Sequence, residues 1–448
     1  MDFAIMPLVR RITSCFSHRP SLIFDLMRSR LLPSLLLASA LLPTLGAKAA
    51  TAGPAPEWAR FRGPDGSGVG VAPNLPAKFT EADYNWKVEL PGKGHSSPVI
   101  ANNKVFVTCT PADSGQRMLV ALNAADGKTL WQKSWEGPVF QQNADNSFSS
   151  STPAVDAERV FDWWTSPEQS YLMALSQKDG SEIWKRELGG FVSQHGSGSS
   201  PIIFEDSVIL DFGQEGADGA GSYTLCVDAA TGKVRWQVPR LSTSSTASTP
   251  CIYHPTGGGP AQLIVISRNL GINALDPHTG KTIWEIKDLM PRRCVASPIV
   301  TKEGMIIVQC GEGGSESFVY GVKPAADGKS ATKAFEVLKS GGYVPSPLAV
   351  DDKLFLWKEN GNVSCVNAGT GAPIWNHRVD GPFYSSPVYA NGRLYNITRK
   401  GDLLVLGGGD TFEQIAKIPL GEGTYAAPSF SGGRMYIRTF THLISVGK

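Results

Sequence analysis

From residue 86 to residue 448, hydrophobic and polar positions follow one repeating pattern. A small or hydroxylated residue precedes a proline, and a short β-rich run follows it. Further along come two apolar runs of strand length joined by a glycine turn. The prolines of the eight copies are Pro98, Pro153, Pro201, Pro250, Pro298, Pro347, Pro387 and Pro428, at intervals of 40 to 55 residues. That period matches the blades of a β-propeller.

The second half of the pattern reads ALNAADGKTLW, ALSQKDGSEIW, CVDAATGKVRW, ALDPHTGKTIW and CVNAGTGAPIW, ending at Trp131, Trp184, Trp236, Trp284 and Trp375. Each segment predicts strand, turn, strand. The glycine tolerates the positive φ of a tight hairpin, and the tryptophan opens the outer strand with a large apolar surface to bury. The fifth and seventh copies lack the tryptophan and carry Phe335 and Ile415 in its neighbourhood. The seventh copy shows four strands plainly, at 387–390, 393–398, 403–406 and 412–418, so each repeat predicts one four-stranded antiparallel sheet. The last copy stops after Ile444-Ser445 without an outer strand, while an unpartnered segment, 86–90, precedes the first proline. The chain is therefore expected to be all-β: an eight-bladed propeller whose N-terminal strand completes the last blade and leaves no free sheet edge between the chain ends.

Residues 1–49 read as a secretory signal, with Arg28 and Arg30, an uncharged run to Ala47, and Ala47-Lys48-Ala49 as the cleavage site. The run is short and is broken by Pro33 and Pro43, which disfavours a membrane span. Residues before Met27 read as an over-extended start. Ile12-Thr13-Ser14-Cys15 loosely matches a lipoprotein box, but no adequate apolar run leads into it, so lipidation is not expected. The expected domains are the signal at 1–49, an arm at 50–85 and the propeller at 86–448, and the expected location is the periplasm or the exterior. With 42 Lys+Arg against 40 Asp+Glu the chain is nearly neutral, which disfavours a nucleic-acid partner. Outside the leader, Cys109, Cys226, Cys251, Cys294, Cys310 and Cys365 are too sparse for a disulfide framework, and most read as buried small hydrophobes. Cys294 and Cys310 flank a predicted hairpin and form the one candidate disulfide.

The Ser/Thr-Pro strand together with the Ala-x-Asp-x-x-Thr-Gly-Lys-x-x-Trp hairpin resembles the pyrroloquinoline quinone (PQQ)-type propeller repeat. Quinoprotein alcohol dehydrogenases share that repeat with BamB-like exported propellers of the outer-membrane barrel assembly machine. The opening segment, from Trp58 through Arg60, Phe61, Arg62 and Gly63 to Gly66, is similar to a leader of exported bacterial members.

In a propeller with this strand order, the loop before each proline and the loop after each second strand surround the central funnel, and loops carry function on such scaffolds. Arg268, Lys358, Arg399 and Arg438 fall at matching positions in four blades. With Arg292 and Arg293 they form a candidate basic arc for an anionic ligand, or ion-pair partners for Asp211, Glu312, Glu359 and Glu422. Further funnel candidates are His95, His195, Tyr343, Tyr384, Tyr425 and, from the Trp163-Trp164 pair, Trp164. No catalytic motif and no metal-ligand spacing stands out, and the acidic Gly-rich loop at 211–223 reads as solvated.

Two functions follow. The favoured one is a non-enzymatic scaffold, expected to be monomeric and without a cofactor, that binds an envelope protein or a saccharide-like ligand. The alternative, implied by the resemblance, is a PQQ- and Ca²⁺-dependent dehydrogenase of alcohols or sugars. Asp145, Asp211 and Asp218 would be its candidate bases, but no adjacent cysteine pair and no haem motif is present.

Overall fold

A computed structural model describes residues 58–448 except 217–220, 241, 243, 314 and 315. The predicted signal segment, the Cys15 box and Asp218 lie outside the described residues. Eight sheets of four antiparallel strands follow one another around the chain. In the first blade, Val99–Ala101 is innermost, followed by Lys104–Cys109, Arg117–Asn123 and Thr129–Trp135. The eighth blade takes Ser429–Ser431, Arg434–Arg438 and His442–Gly447 from the end of the chain and its outermost strand, Tyr84–Glu89, from the beginning. The expected closure is therefore observed.

The register explains the tryptophans. Trp131, Trp184, Trp236, Trp284 and Trp375 lie opposite Ala121, Ala174, Cys226, Ala274 and Cys365, each directly beside a β-bulge. Phe335 takes this place opposite Gly321 in the fifth blade. In the seventh blade the residue at this place is Ala416, opposite Val405, whereas Ile415 falls within the bulge. In the eighth blade the position belongs to Trp86, opposite Ser445.

Each ring serves the joint between blades. The indole N–H of Trp86 donates to the Ala124 carbonyl at 3.1 Å, that of Trp131 to Gln177 at 3.1 Å, that of Trp184 to Ala229 at 3.0 Å and that of Trp236 to Pro277 at 2.8 Å. In these four joints the acceptor lies in the hairpin turn of the following blade, whereas Trp284 donates to the Gln262 side chain of its own blade at 2.8 Å; either way burial of the ring leaves its polar atom satisfied. Gly127 shows why the turn keeps a glycine. Its φ is 73°, and a Cβ would come within 2.8 Å of the Trp86 ring.

A second device joins the inner strands. The residue before each proline donates its amide to the hydroxyl of its counterpart in the next blade: Ser97 to Thr152 at 2.9 Å, then Thr152 to Ser200, Ser200 to Thr249, Thr249 to Ser297, Ser297 to Ser346 and Ser346 to Ser386, each at 3.0 Å. Ala427 donates to Ser97 at 3.0 Å and completes the circuit, but it has no hydroxyl to offer Ser386. The repeated Ser/Thr-Pro motif is thus a belt of hydrogen bonds around the axis, and proline follows because its own nitrogen needs no partner.

The arm crosses the inner strands beyond this belt. Trp58 pairs with Ile100 in the first blade, the Ala59 carbonyl accepts from Val155 in the second, and Gly68 and Gly70 bond to Tyr389 in the seventh. The Arg60 guanidinium reaches the Pro250 carbonyl in the fourth blade at 3.3 Å, and Trp58 packs edge-on against Phe430 of the eighth at 5.5 Å. Arg60 and Arg62 are both buried, folded back over carbonyls of the turn that contains Gly66 and Gly68. The leader motif therefore encodes a plug. It touches blades on all sides of the axis, and its Phe61 faces the cavity above.

Candidate functional site

Because the inner strands run away from the proline loops, those loops form the mouth of the funnel and the hydroxyl belt lies at its base. The cavity they enclose measures ≈ 710 Å³. Ser97, Thr152, Ser200, Ser297, Ser346 and Ser386 line it from the belt, and Phe61 lies among them.

One wall is organised around Asp145. The Arg399 guanidinium and the Tyr425 hydroxyl both donate to its Oδ1, the latter at 3.0 Å, and the Tyr384 hydroxyl donates to Oδ2 at 3.1 Å. Arg399 Nε also donates to the Tyr425 oxygen at 3.1 Å, and the guanidinium lies 4.3 Å from the Tyr384 ring centre. The Asp145 carboxylate, on the loop leading to the second blade, is thereby tied to residues of the seventh and eighth. Burial, together with Asp145, pushes the Tyr384 hydroxyl up to about 12, so it remains a proton donor. His95 packs on Tyr425 with ring centres 4.6 Å apart. Burial, reinforced by Arg438 and Arg399 against the opposing pull of Asp145, pushes its imidazole down to about 3, so it is neutral at physiological pH.

The facing wall has its own pair. Glu215 Oε1 lies 3.3 Å from Arg293 Nη2 and accepts from the Ser245 hydroxyl at 2.9 Å, while Oε2 accepts from the Gln194 amide at 3.1 Å. Ser193 donates to Ser245 at 3.1 Å, and His195 lies on the same loop. The Glu359 carboxylate fixes the loop of Tyr343, accepting the Val344 amide at 2.6 Å.

The six cations of the proposed arc do not converge. Arg268 and Arg293 line the cavity, and Arg399 stands beside it bound to Asp145. Arg292 lies outside the lining and reaches Glu312 and Glu316 at 3.7 and 3.9 Å. Lys358, also outside it, donates to the Lys339 carbonyl at 3.0 Å. Arg438 is buried within the wall, donating to the Ser96 carbonyl at 3.2 Å and contacting Cys109 Sγ at 3.6 Å. Matching positions in the repeat do not give matching directions, because each guanidinium follows its nearest acceptor.

Other expectations are corrected as well. Trp164 is not in the funnel; it is buried between the first two blades, 4.8 Å from the Tyr171 ring and 5.6 Å from the Arg117 guanidinium. Trp163 is buried too and donates to the Ser199 carbonyl at 2.9 Å. Asp211 is withdrawn from the funnel into a buried pair with Arg240 at 3.2 Å and also accepts from Thr224. Cys294 and Cys310 are free thiols, although the pairing of Arg293 with Gly311 sets them side by side in one core cluster. Burial pushes the Cys310 thiol up to about 11, a poor setting for thiolate chemistry. Among the described residues, no group of three or more His, Cys, Asp and Glu side chains is placed to hold a metal ion.

The sequence reading missed two features. Glu215 sits in the Gly-rich loop taken as solvated, yet it lines the cavity. Phe61 belongs to the leader motif, whose only signal was its resemblance to other leaders.

The profile describing the outer membrane protein assembly factor BamB matches residues 82–250 and 271–412. The chain is 22% identical over 281 residues to the outer membrane protein assembly factor BamB of Yersinia pestis and 22% identical over 307 residues to that of Moranella endobia (strain PCIT). These matches span 62% and 66% of this chain but only 62% and 60% of the curated relatives' own lengths. Among solved structures, BamB from Moraxella catarrhalis superimposes with a TM-score of 0.57 at 15% identity, covering 81% of this chain and 97% of that one. Quinohemoprotein alcohol dehydrogenase from Comamonas testosteroni gives 0.59 at 14% identity, covering 88% and 80%. At such identities both structures speak for the fold alone. Matched by that profile over more than half its length and built of PQQ-like propeller repeats, the chain belongs to the family of the outer membrane protein assembly factor BamB.

Proposed function

We propose that this propeller is an exported, non-enzymatic scaffold that binds a protein partner in the assembly of outer membrane proteins, the task named for its relatives. The observation that carries this reading is the engagement of the funnel carboxylates. Asp145 is held by one guanidinium and two phenols, and Glu215 by a guanidinium, a hydroxyl and an amide. A general base needs a lone pair aimed at substrate, and a calcium-bound quinone needs carboxylate oxygens free to ligate. Every oxygen of the two carboxylates already accepts at least one bond, and none stands free as a base or a calcium ligand would, so the donor set does not favour the quinoprotein alternative.

The test has two arms. Residues 50–448 carrying an affinity tag, expressed in the native envelope, should co-purify with the barrel-assembly machinery, and deletion of the gene should lower the level of folded outer-membrane barrels. Titration with PQQ and Ca²⁺ should give no saturable heat. Tight calcium-dependent PQQ binding, with normal barrel levels in the deletion strain, would overturn the reading.

A further inference from the structure

The funnel is a blind cavity rather than a channel, and a scaffold that works through its outer surface has no evident use for one. Its volume, ≈ 710 Å³, lies within the range of small-ligand sites. Its charges are engaged from within. Asp145, Glu215 and Glu312 stand against Arg268 and Arg293 in the lining and Arg399 beside it, and each of the three acids is already in an ion pair, with Arg399, Arg293 and Arg292 respectively. A net anion entering the cavity would meet three carboxylates, and a net cation would meet the Arg268 and Arg293 guanidinium groups with Arg399 beside them. Aromatic faces flank the polar groups: Tyr384 and Tyr425, with ring centres 4.9 Å apart, and Tyr343. The remaining wall is built of amides and hydroxyls, including Asn143, Gln194, Ser197 and Ser244.

We propose that this cavity binds a neutral oligosaccharide. A sugar ring has an apolar C–H face, which an aromatic ring covers, and a rim of hydroxyls, each able to donate and accept together. Fixed ion pairs suit that rim. The oxygens turned away from the arginines, Asp145 Oδ2 and Glu215 Oε2, accept one bond each and keep a lone pair for one sugar hydroxyl, while the guanidinium offers a neighbouring N–H to the next. The preset geometry lowers the ordering cost of binding. The role is additional to the scaffold function and does not depend on it.

Calorimetric titration of residues 50–448 with cellotriose, maltotriose and triacetylchitotriose, beside the trianion tricarballylate, tests the proposal. At least one trisaccharide should bind saturably at millimolar concentration or below, and tricarballylate should not. Tyr384→Ala should weaken that binding about tenfold, the loss of one stacking face. Tyr384→Phe, which keeps the ring, should retain most of it, and Lys358→Ala, outside the cavity, should leave it unchanged. If Tyr384→Ala fails to fold, Gln194→Ala, an exposed side chain at the mouth, must weaken binding instead. Failure of all three sugars to bind, tighter binding of tricarballylate, or sugar binding indifferent to these cavity variants would overturn the proposal.

Discussion

Trp86 on the first strand of the propeller lies opposite Ser445 on the last, at the register position where Trp131 lies opposite Ala121 in the first blade. The chain therefore supplies the joint tryptophan of its eighth blade from a segment that precedes the first repeat. Closure of the ring rests on the same indole contact that joins the blades elsewhere, here the 3.1 Å bond to Ala124 and the packing over Gly127.

Trp86→Ala is accordingly expected to destabilise the protein by about 3–5 kcal/mol, the usual cost of emptying a buried aromatic site. Trp184→Ala, in a joint between consecutive blades, should cost a similar amount. Denaturant titration of both variants decides the point. A loss below about 1 kcal/mol for Trp86→Ala alone would mean that the terminal strand is only loosely docked.

The belt of hydroxyls makes a second prediction because it has a gap. Ser200 accepts from Thr152, so Ser200→Ala leaves that buried amide without its partner and should cost about 1–3 kcal/mol. Ala427→Ser does the opposite, placing a hydroxyl where the pattern directs the Ser386 amide, and should add about 0.5–1.5 kcal/mol. Shifts in the denaturation midpoint with unchanged slope would report both effects. A destabilised Ala427→Ser variant would show that the eighth blade is packed too closely for the missing group.

These examples also show what can be read from the chain. The repeats were legible because their signals are local: a hydroxyl beside a proline, and a glycine turn followed by an indole. The strand bearing Trp86 was legible by elimination, since one blade lacked a strand and one strand lacked a blade. The site was legible only in part. His95, His195, Tyr343, Tyr384 and Tyr425 were placed by loop position, which the repeat fixes. The fate of the arginines depends on acceptors far away in sequence, such as Asp145 for Arg399 and Ser96 for Arg438, and no local pattern records those pairings. Ile415 does stand beside the joint position, as read, with the bulge putting Ala416 at the position itself.

Asp162 gives a prediction about pH. It lies on a strand of the second blade, 3% exposed, and its Oδ1 has no hydrogen-bond partner among the described residues. Burial pushes its carboxyl up to about 7, only partly opposed by the Trp163 amide. Between the ordinary carboxylate range and pH 7 the folded state therefore holds a proton that the unfolded state has released. Stability from this group is intact at low pH and is lost as pH rises through that window. Asp162→Asn, uncharged throughout, should match the wild type near pH 4 and exceed it at pH 8 by a few kcal/mol, on the order of the three-unit displacement. Thermal denaturation at the two pH values tests this, and a gap that did not widen with pH would refute the buried neutral acid.

The arm provides the last prediction, because its motif is explained by contacts that a single methyl group would break. Gly66 has a φ of 83°, and a Cβ there would stand 2.6 Å from Arg60 Nη2, which is itself held among the Pro64, Asp65 and Pro250 carbonyls. Gly66→Ala combines an unfavourable backbone with a clash against a buried guanidinium that has little room to retreat. The plug should loosen while the blades, which do not use Gly66, remain folded. The expected result is a lower melting temperature with an unchanged β-sheet circular dichroism spectrum. An apolar dye should also bind where Trp58, Phe61 and Phe430 become accessible. Removing residues 58–75 should reproduce these effects more strongly, since Trp58 and Leu75 are then lost from the core together. If either variant melted as the wild type does and bound no dye, the leader would be an appendage rather than the floor of the funnel.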